Sequence, residues 1–146
     1  MIAKVTRRNN CYLQRSNPGG EMLNTNKLVG FLTTTDYEKA RAFYVGKLGF
    51  EFVSLEPQFA LAVRAGANMI RITKSETFKV AQGTVLGWEV DDIRAVVSWL
   101  GSRGVETEKY PFVEDKETGI WNSPSGAQVA WFKDPDGNVL SVSQHI

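Results

Sequence analysis

Apolar and polar residues alternate along this chain in two similar successions, each of which predicts a strand, a helix and three further strands. The first succession begins with the apolar run 28–32 and the threonines 33–35, which together predict a strand. A helix is expected next, because apolar residues recur there at helical spacing and Gly49 is a suitable helix stop. The spacing of Thr35 and Glu38 predicts a capping box at the start of this helix. Short runs between turn residues then predict strands at 51–55, 59–64 and 69–73.

The second succession begins with the apolar run 85–90, which predicts a strand. Asp91 and Asp92 are suitable N-cap residues for a following helix, and Gly101 and Gly104 are suitable stops. Between these signals, apolar residues occupy the positions i, i+3, i+4 and i+7 of one helix face, namely Ile93, Val96, Val97 and Leu100. Strands are predicted after the helix at 105–110, 127–133 and 138–145.

The two successions share one spacing, which predicts a duplicated βαβββ unit. Val85 follows Val29 by 56 residues (85 − 29), and Gly104 follows Gly49 by 55 (104 − 49). Residues 112–125 are an acidic, Gly/Pro-containing insertion in the second unit. A loop of this length can be a lid over a binding site, or a solvated excursion whose Trp121 covers an edge of the core. The sequence favours neither interpretation.

The composition is that of an ordinary globular protein. The chain has 146 residues, of which 42% are hydrophobic and 23% charged, and its net charge of +1 creates no overall field for nucleic acid, membrane or acidic partners. The single cysteine, Cys11, excludes an intramolecular disulfide and is compatible with a reducing compartment. No apolar run reaches transmembrane length. We therefore expect a cytoplasmic protein.

Residues 1–21 show neither a helical nor a strand period and are rich in residues that break both. We interpret them as a disordered N-terminal extension, which would be an over-extended start of translation if Met22 is the true start. A functional basic tail is the less favoured alternative. The rest, 22–146, is predicted to be a single domain with modules at about 27–75 and 83–146.

Two motifs about ninety residues apart carry a family resemblance. In the first motif, Asp36 precedes a predicted helix that contains Phe43-Tyr44 and ends in Leu48-Gly49-Phe50. The second motif is the predicted turn Asp134-Pro135-Asp136-Gly137-Asn138. This combination resembles the glyoxalase/bleomycin resistance/extradiol dioxygenase superfamily, which has the vicinal oxygen chelate fold. The resemblance implies an α+β fold in which two βαβββ modules form a curved mixed sheet around a cleft. It also implies a homodimer, and the apolar stretch 59–63, taken as a sheet edge, would suit its interface.

The resemblance also implies where metal ligands would lie. In metal-dependent members, the first and last strands of each module supply them, and those positions correspond here to Val29, Arg71, Val85 and Ser141. Valine cannot bind a metal, serine is a poor ligand, and arginine is a fixed cation without a lone pair to offer. The only histidine, His145, lies beyond the ligand position and is interpreted as a surface residue. The resemblance therefore implies no metal, no cofactor and no catalytic residue here.

If these ligand positions face the cleft as the resemblance implies, strand alternation predicts which other side chains face it. Valines at 29, 85 and 129 would form an apolar floor together with two aromatic residues, and hydroxyl and charged groups would surround it. The candidate ligand-binding residues are Phe31, Thr33, Arg71, Glu89, Trp121, Trp131, Ser141 and Ser143. If Glu89 pairs with Arg71, we expect a neutral aromatic ligand on Trp131; if it does not, we expect an anionic ligand. The alternative is that the small inward residues only let the two modules pack, with Trp131 filling the core.

Two functional classes follow. The first is a metal-independent small-molecule-binding protein of the bleomycin-resistance type, which sequesters an aromatic or anionic ligand in an apolar cleft. The alternative is a metal-dependent lyase, dioxygenase, epimerase or thiol transferase with a non-standard metal site. A protein-interaction module has no specific support. Nucleic acid is not an expected partner, because basic residues do not cluster with aromatic ones in the domain.

Overall fold

A computed structural model describes residues 22–145, so the interpretation of 1–21 lies outside the described residues. The first module contains β1 (Val29–Thr34), a helix made of α1 (Tyr37–Arg41) and a π-helical continuation (Ala42–Lys47), β2 (Glu51–Glu56), β3 (Ala60–Ala65) and β4 (Asn68–Lys74). The second contains β5 (Thr84–Glu89), α2 (Ile93–Ser102), β6 (Trp121–Asn122), β7 (Gln128–Lys133) and β8 (Val139–Gln144). In this part of the chain, no helix is both long and apolar enough to cross a membrane.

The two modules have the same topology, which confirms the predicted duplication and the α+β class. Their sheets have the strand orders β1-β4-β3-β2 and β5-β8-β7-β6. In each sheet, the first strand of the module runs parallel to the last, and the other pairings are antiparallel. The helix of each module supplies the crossover that a parallel pair requires.

Both helices are capped by aspartate, although the predicted capping box at Thr35 is wrong. The Asp36 carboxylate accepts a hydrogen bond from the backbone N–H of Glu38 at 2.8 Å, and Asp92 accepts one from Ala95 at 3.1 Å. Thr35 does not cap α1, because its hydroxyl donates to Asp136 of the second module. Sequence spacing did not reveal this distant acceptor.

Two predictions about strands are also wrong. Residues 105–110 form no strand and contribute only an isolated bridge between Thr107 and Phe132, while the fourth strand of the second sheet is β6. In the segment 112–125, Val113 and Ile120 are fully buried and Trp121 is partly buried, whereas Phe112 and Glu114 are exposed. The stretch 59–63 is not an edge, because β3 lies between β2 and β4.

One hydrophobic core lies on the helix side of both sheets. A chain of aromatic contacts crosses from the first module to the second, with ring centroids 6.1 Å apart between Tyr44 and Phe50, 5.5 Å between Phe50 and Trp88, and 6.3 Å between Trp88 and Phe132. The consecutive residues Phe43 and Tyr44 are both buried, where the wider π-helical turn places them. The core thus joins the two modules.

The turn Asp134–Asn138 also joins the modules through polar contacts. The buried Asp134 carboxylate, in a residue only 7% exposed, accepts hydrogen bonds from the Tyr44 hydroxyl at 2.6 Å and the Asn138 side-chain amide at 2.8 Å. It also accepts from the backbone N–H groups of Asp136 at 2.9 Å and Asn138 at 3.0 Å. Burial, reinforced by the neighbouring Asp134 charge, raises the pKa of Tyr44 well above its ordinary value, so the phenol stays protonated and donates.

The same turn holds the end of β1. Asp136 accepts hydrogen bonds from the hydroxyls of Thr34 and Thr35, both at 2.5 Å, and from the Thr35 backbone N–H at 3.0 Å. The Asn138 side chain donates to the backbone carbonyl of Thr33 at 3.0 Å. We call Asp134–Asn138, with these contacts, the inter-module turn.

Acid is expected to weaken the inter-module turn through Asp136. Burial alone would raise the pKa of Asp136, but the hydrogen bonds from Thr34 and Thr35 outweigh it and hold this pKa below its ordinary value. Stability from such a depressed group is fully present above the pKa of the unfolded chain, roughly 4, and is lost as the pH falls through the folded pKa. Urea unfolding between pH 6 and pH 2.5 should therefore show a steeper loss of stability for the wild type than for Asp136→Asn.

Asp115 also has a lowered pKa, because Thr118 donates hydrogen bonds to it, and it contributes to the acid loss in both proteins. Only the difference between the two slopes therefore reports on Asp136. Equal slopes would contradict the assignment.

Candidate functional site

The side of each sheet that faces away from the helices, which we call the open face, carries the predicted cleft residues. On β1, Leu32 and Thr34 are buried toward the helix, whereas Val29 and Phe31 are 46% and 67% exposed. The alternation of side chains along a strand therefore places Phe31 and Thr33 on the open face, as predicted. On the core side, β1 and β5 approach each other, because the position that a Cβ would take at Gly30 of β1 lies 3.9 Å from the Leu86 side chain of β5.

On the first sheet, Arg71 of β4 lies in one cross-strand row with Phe31 of β1 and Ala62 of β3. Within residues 22–145, Arg71 has no hydrogen bond or ion pair. The internal pair with Glu89 is therefore not formed, and the salt bridge of this sheet joins Arg64 and Glu51 at 3.3 Å instead. The half-buried Arg71 guanidinium is thus available to an anion at the open face.

On the second sheet, four aromatic side chains meet, and we call them the aromatic cluster: Tyr110, Phe112, Trp121 and Trp131. The ring centroid of Trp131 lies 5.6 Å from that of Tyr110, 5.7 Å from that of Phe112 and 6.0 Å from that of Trp121. Phe112 is 55% exposed, whereas the other three are partly buried. Trp131 alternates along β7 with the buried Ala130 and Phe132, so it faces away from the core. The interpretation of Trp131 as a core residue is therefore wrong.

Polar groups lie beside this cluster. Ser141 of β8 is the cross-strand neighbour of both Trp131 and Gly87. A Cβ at Gly87 would lie 2.6 Å from the Ser141 hydroxyl oxygen, so glycine keeps a notch open over that hydroxyl. In the next row, Ser143 lies between Glu89 and Val129. The Ser143 hydroxyl also lies 3.1 Å from Nε2 of His145.

The positions that the family resemblance assigns to metal ligands do not fit a metal. Val29, Arg71 and Ser141 lie on the open face, and Val85 lies in the bulge where the β5–β8 register shifts. Among them, only the serine has an oxygen to offer. In the described part of the chain, no three His, Cys, Asp or Glu side chains lie close enough together to hold an ion. The residues present therefore do not form the metal site of metal-dependent relatives.

The eight candidate residues fall into two groups. Phe31, Thr33 and Arg71 belong to the first sheet, and the other five, namely Glu89, Trp121, Trp131, Ser141 and Ser143, belong to the second. Sequence reasoning missed Tyr110 and Phe112. Their spacing of two residues around Pro111 was the available signal, but the incorrect strand at 105–110 concealed it.

Comparison with known proteins gives one family. The family model of the Glyoxalase/Bleomycin resistance protein/Dioxygenase superfamily matches residues 26–142. Among curated proteins, none matches this chain.

Many solved structures share the fold. TnmS3, an antibiotic binding protein from Streptomyces sp. CB03234, is 26% identical with a TM-score of 0.66, and the match covers 86% of this chain and 100% of that one. A superfamily member from Sphaerobacter thermophilus is 25% identical with a TM-score of 0.65, covering 85% of this chain and 100% of that one. A glyoxalase/bleomycin resistance protein/dioxygenase from Alicyclobacillus acidocaldarius, 16% identical with a TM-score of 0.66 and coverages of 86% and 96%, shows the fold alone.

Proposed function

We propose that this chain, which belongs to the Glyoxalase/Bleomycin resistance protein/Dioxygenase superfamily, is a metal-independent binding protein for a small aromatic molecule that carries an anionic group. The observation that carries the proposal is the aromatic cluster on the open face of the second sheet. The exposed Phe31 is a further apolar side chain on the open face of the first sheet. A largely apolar surface with a few fixed polar groups is the usual composition of a small-molecule site.

The aromatic cluster supports an aromatic ligand for a geometric reason. Its rings adopt both parallel and edge-on orientations, with interplanar angles of 12° between Tyr110 and Phe112 and 83° between Phe112 and Trp131. Such an arrangement offers ring faces and ring edges to a further ring, and both contacts are favourable. The rings of the aromatic cluster are not needed to fill the core, because the neighbouring Phe132 of β7 is buried there.

The unpaired Arg71 supports the anionic group. A guanidinium without an acidic partner in the described residues matches a carboxylate, sulfonate or phosphate through two parallel hydrogen bonds. The Ser141 hydroxyl in the notch at Gly87 is a second polar contact, beside Trp131. TnmS3, which is described as an antibiotic binding protein, is a precedent for ligand binding on this fold at 26% identity.

A metal-dependent enzyme is the less favoured function. It would need imidazole, carboxylate or thiolate ligands near one another, and the residues at the family's ligand positions are two valines, an arginine and a serine.

The homodimer and the cytoplasmic location also remain proposals. The exposed side chains of Val29, Phe31 and Val85 support a dimer, since a second copy would remove them from water.

A matched pair of probes tests the role of Arg71. We expect 2-naphthoate to bind the wild type more tightly than the isosteric neutral 2-naphthamide in isothermal titration calorimetry. Arg71→Ala should weaken 2-naphthoate binding by about tenfold, because a hydrogen-bonded ion pair with a carboxylate is worth roughly 1.5 kcal/mol or more. Binding of 2-naphthamide should not change.

Arg64→Ala is the control, because Arg64 lies on the neighbouring strand but is already paired with Glu51. This variant should bind 2-naphthoate like the wild type. Equally weakened 2-naphthoate binding in both arginine variants would show that the loss of any positive charge on this sheet weakens binding. It would contradict a specific contact with Arg71. Failure of both probes to bind the wild type would contradict the proposed function itself.

A further inference from the structure

A second apolar recess lies on the helix side of the second sheet, opposite the open face. It is a crevice of about 210 Å³ between the end of the first helix, α2 and the strands beneath them. We call this recess the helix-side crevice. Residues from both modules line it: Leu48, Phe50, Trp88, Glu89, Val90, Val96, Trp99, Leu100, Phe132 and Val142. None of the four aromatic-cluster residues belongs to it, and Glu89 is the one open-face candidate residue that also borders it.

The wall of the crevice is apolar almost throughout. Nine of its ten lining residues are apolar, and four of those are aromatic. The tenth, Glu89, pairs with Ser143 across the strands, which turns its side chain toward the open face. A charged group placed against these apolar walls would lose its hydration, which is costly. The chemistry of the wall favours a neutral ligand.

The size of the crevice limits the ligand to one or two rings. An engineered apolar cavity of about 150 Å³, lined by similar side chains, is known to stay dry and to bind benzene. A crevice of about 210 Å³ is somewhat larger but too small for a peptide helix, whose diameter with side chains is about 10–12 Å. An apolar occupant would add dispersion contacts with these walls.

The mouth of the crevice is accessible. Trp99 of α2 is 39% exposed, and the guanidinium carbon of Arg103 lies 5.3 Å from its ring centroid, a distance that permits a cation–π contact. Leu48 and Phe50 come from the first module, whereas α2 and the strands belong to the second. An occupant would therefore contact both modules at once.

We propose that the helix-side crevice is a second ligand site, which takes a neutral apolar molecule of one or two rings. It does not depend on the proposed function of the open face, because the two sites share no aromatic residue and favour ligands of different charge. Occupancy of the crevice would add contacts between the modules and so stabilise the protein.

Toluene is a suitable probe, and the four indole N–H signals in a ¹H–¹⁵N correlation spectrum report on its position. We expect toluene to shift the signals of Trp88 and Trp99 saturably, because both line the crevice. The signals of Trp121 and Trp131 report separately on the open face. Trp→Phe variants assign the four signals. Absence of a saturable shift at Trp88 and Trp99 in the wild type would overturn the proposal without any further variant.

Two neighbouring substitutions on α2 form a matched pair. Val96 lines the crevice, whereas Val97 lies outside it, and both are half-buried. Val96→Phe should fill the crevice and weaken toluene binding at Trp88 and Trp99 by about tenfold or more, because the larger side chain would occupy the volume that toluene needs. Val97→Phe should bind toluene like the wild type. Loss of toluene binding in both variants or in neither would overturn the proposal. Shifts of the Trp88 and Trp99 signals that depend on protein concentration instead of toluene would also overturn it, because they would indicate that a second copy of the chain occupies the crevice.

Discussion

Replacing Asp134 with alanine is expected to lower the free energy of unfolding by about 3–5 kcal/mol. The Asp134 carboxylate accepts four hydrogen bonds inside the inter-module turn, from Tyr44, Asp136 and the side chain and backbone of Asn138. Alanine would leave the buried Tyr44 hydroxyl and the buried Asn138 amide without this acceptor. Unpaired buried donors each cost about 1–3 kcal/mol, and the contact between the modules is lost as well.

Urea unfolding followed by circular dichroism at neutral pH measures this effect. Tyr44→Phe should cost less, because the Asp134 carboxylate keeps its other donors. Asp91→Ala removes an exposed acid of the same type and should change stability by no more than about 0.5 kcal/mol. A loss below about 1 kcal/mol for Asp134→Ala would show that the turn does not hold the modules together.

Replacing Trp131 with alanine is expected to weaken 2-naphthoate binding by roughly 30-fold, equivalent to about 2 kcal/mol. Trp131 is in contact with each of the other three rings of the aromatic cluster. Its loss would remove the central stacking surface and leave those rings without a fixed orientation. The fold should persist, because Trp131 faces away from the core.

Calorimetry with 2-naphthoate measures this second effect, and thermal unfolding verifies that the variant is folded. Trp99→Ala is the matched control, since it removes the same side chain from the opposite side of the sheet. It should bind 2-naphthoate like the wild type. Weakened binding in Trp99→Ala together with normal binding in Trp131→Ala would show that the anionic aromatic ligand binds on the helix side of the sheet. That result would contradict our proposal.

Local patterns predicted the elements of this fold well where the interactions are themselves local. The helix start at Asp92 and the strand alternation that exposes Phe31 and Trp131 depend on residues that are neighbours in sequence. The capping box at Thr35 was wrong because the preferred partner of Thr35, Asp136, is 101 residues away. The strand at 105–110 was wrong because β6, which lies later in the chain, occupies the fourth position of that sheet, and local alternation does not reveal which segment pairs with β7.

The candidate site was predicted only in part for the same reason. Strand alternation assigns a side chain to a face only relative to a known position. The family resemblance implied the positions of Arg71 and Ser141 in the cleft, and alternation from the family's ligand positions then placed Phe31 on the open face. Alternation does not say which residues on one face are close enough to pair, so the sequence left the Arg71–Glu89 pair open, and among the described residues this pair is not formed. Tyr110 and Phe112 lie outside regular strands, where no period predicts the direction of a side chain.

The sequence by itself determined the family, the duplicated βαβββ plan and the lack of metal-binding side chains at the family's ligand positions, because each of these depends on residue identity and spacing. Only the tertiary structure decided that the Asp134–Asn138 turn joins the modules, that Arg71 has no acidic partner in the described chain, and that four aromatic rings converge beside Ser141. These features depend on distances between residues far apart in the chain. Such distances arise from how the two sheets pack over one shared core, which no local pattern encodes.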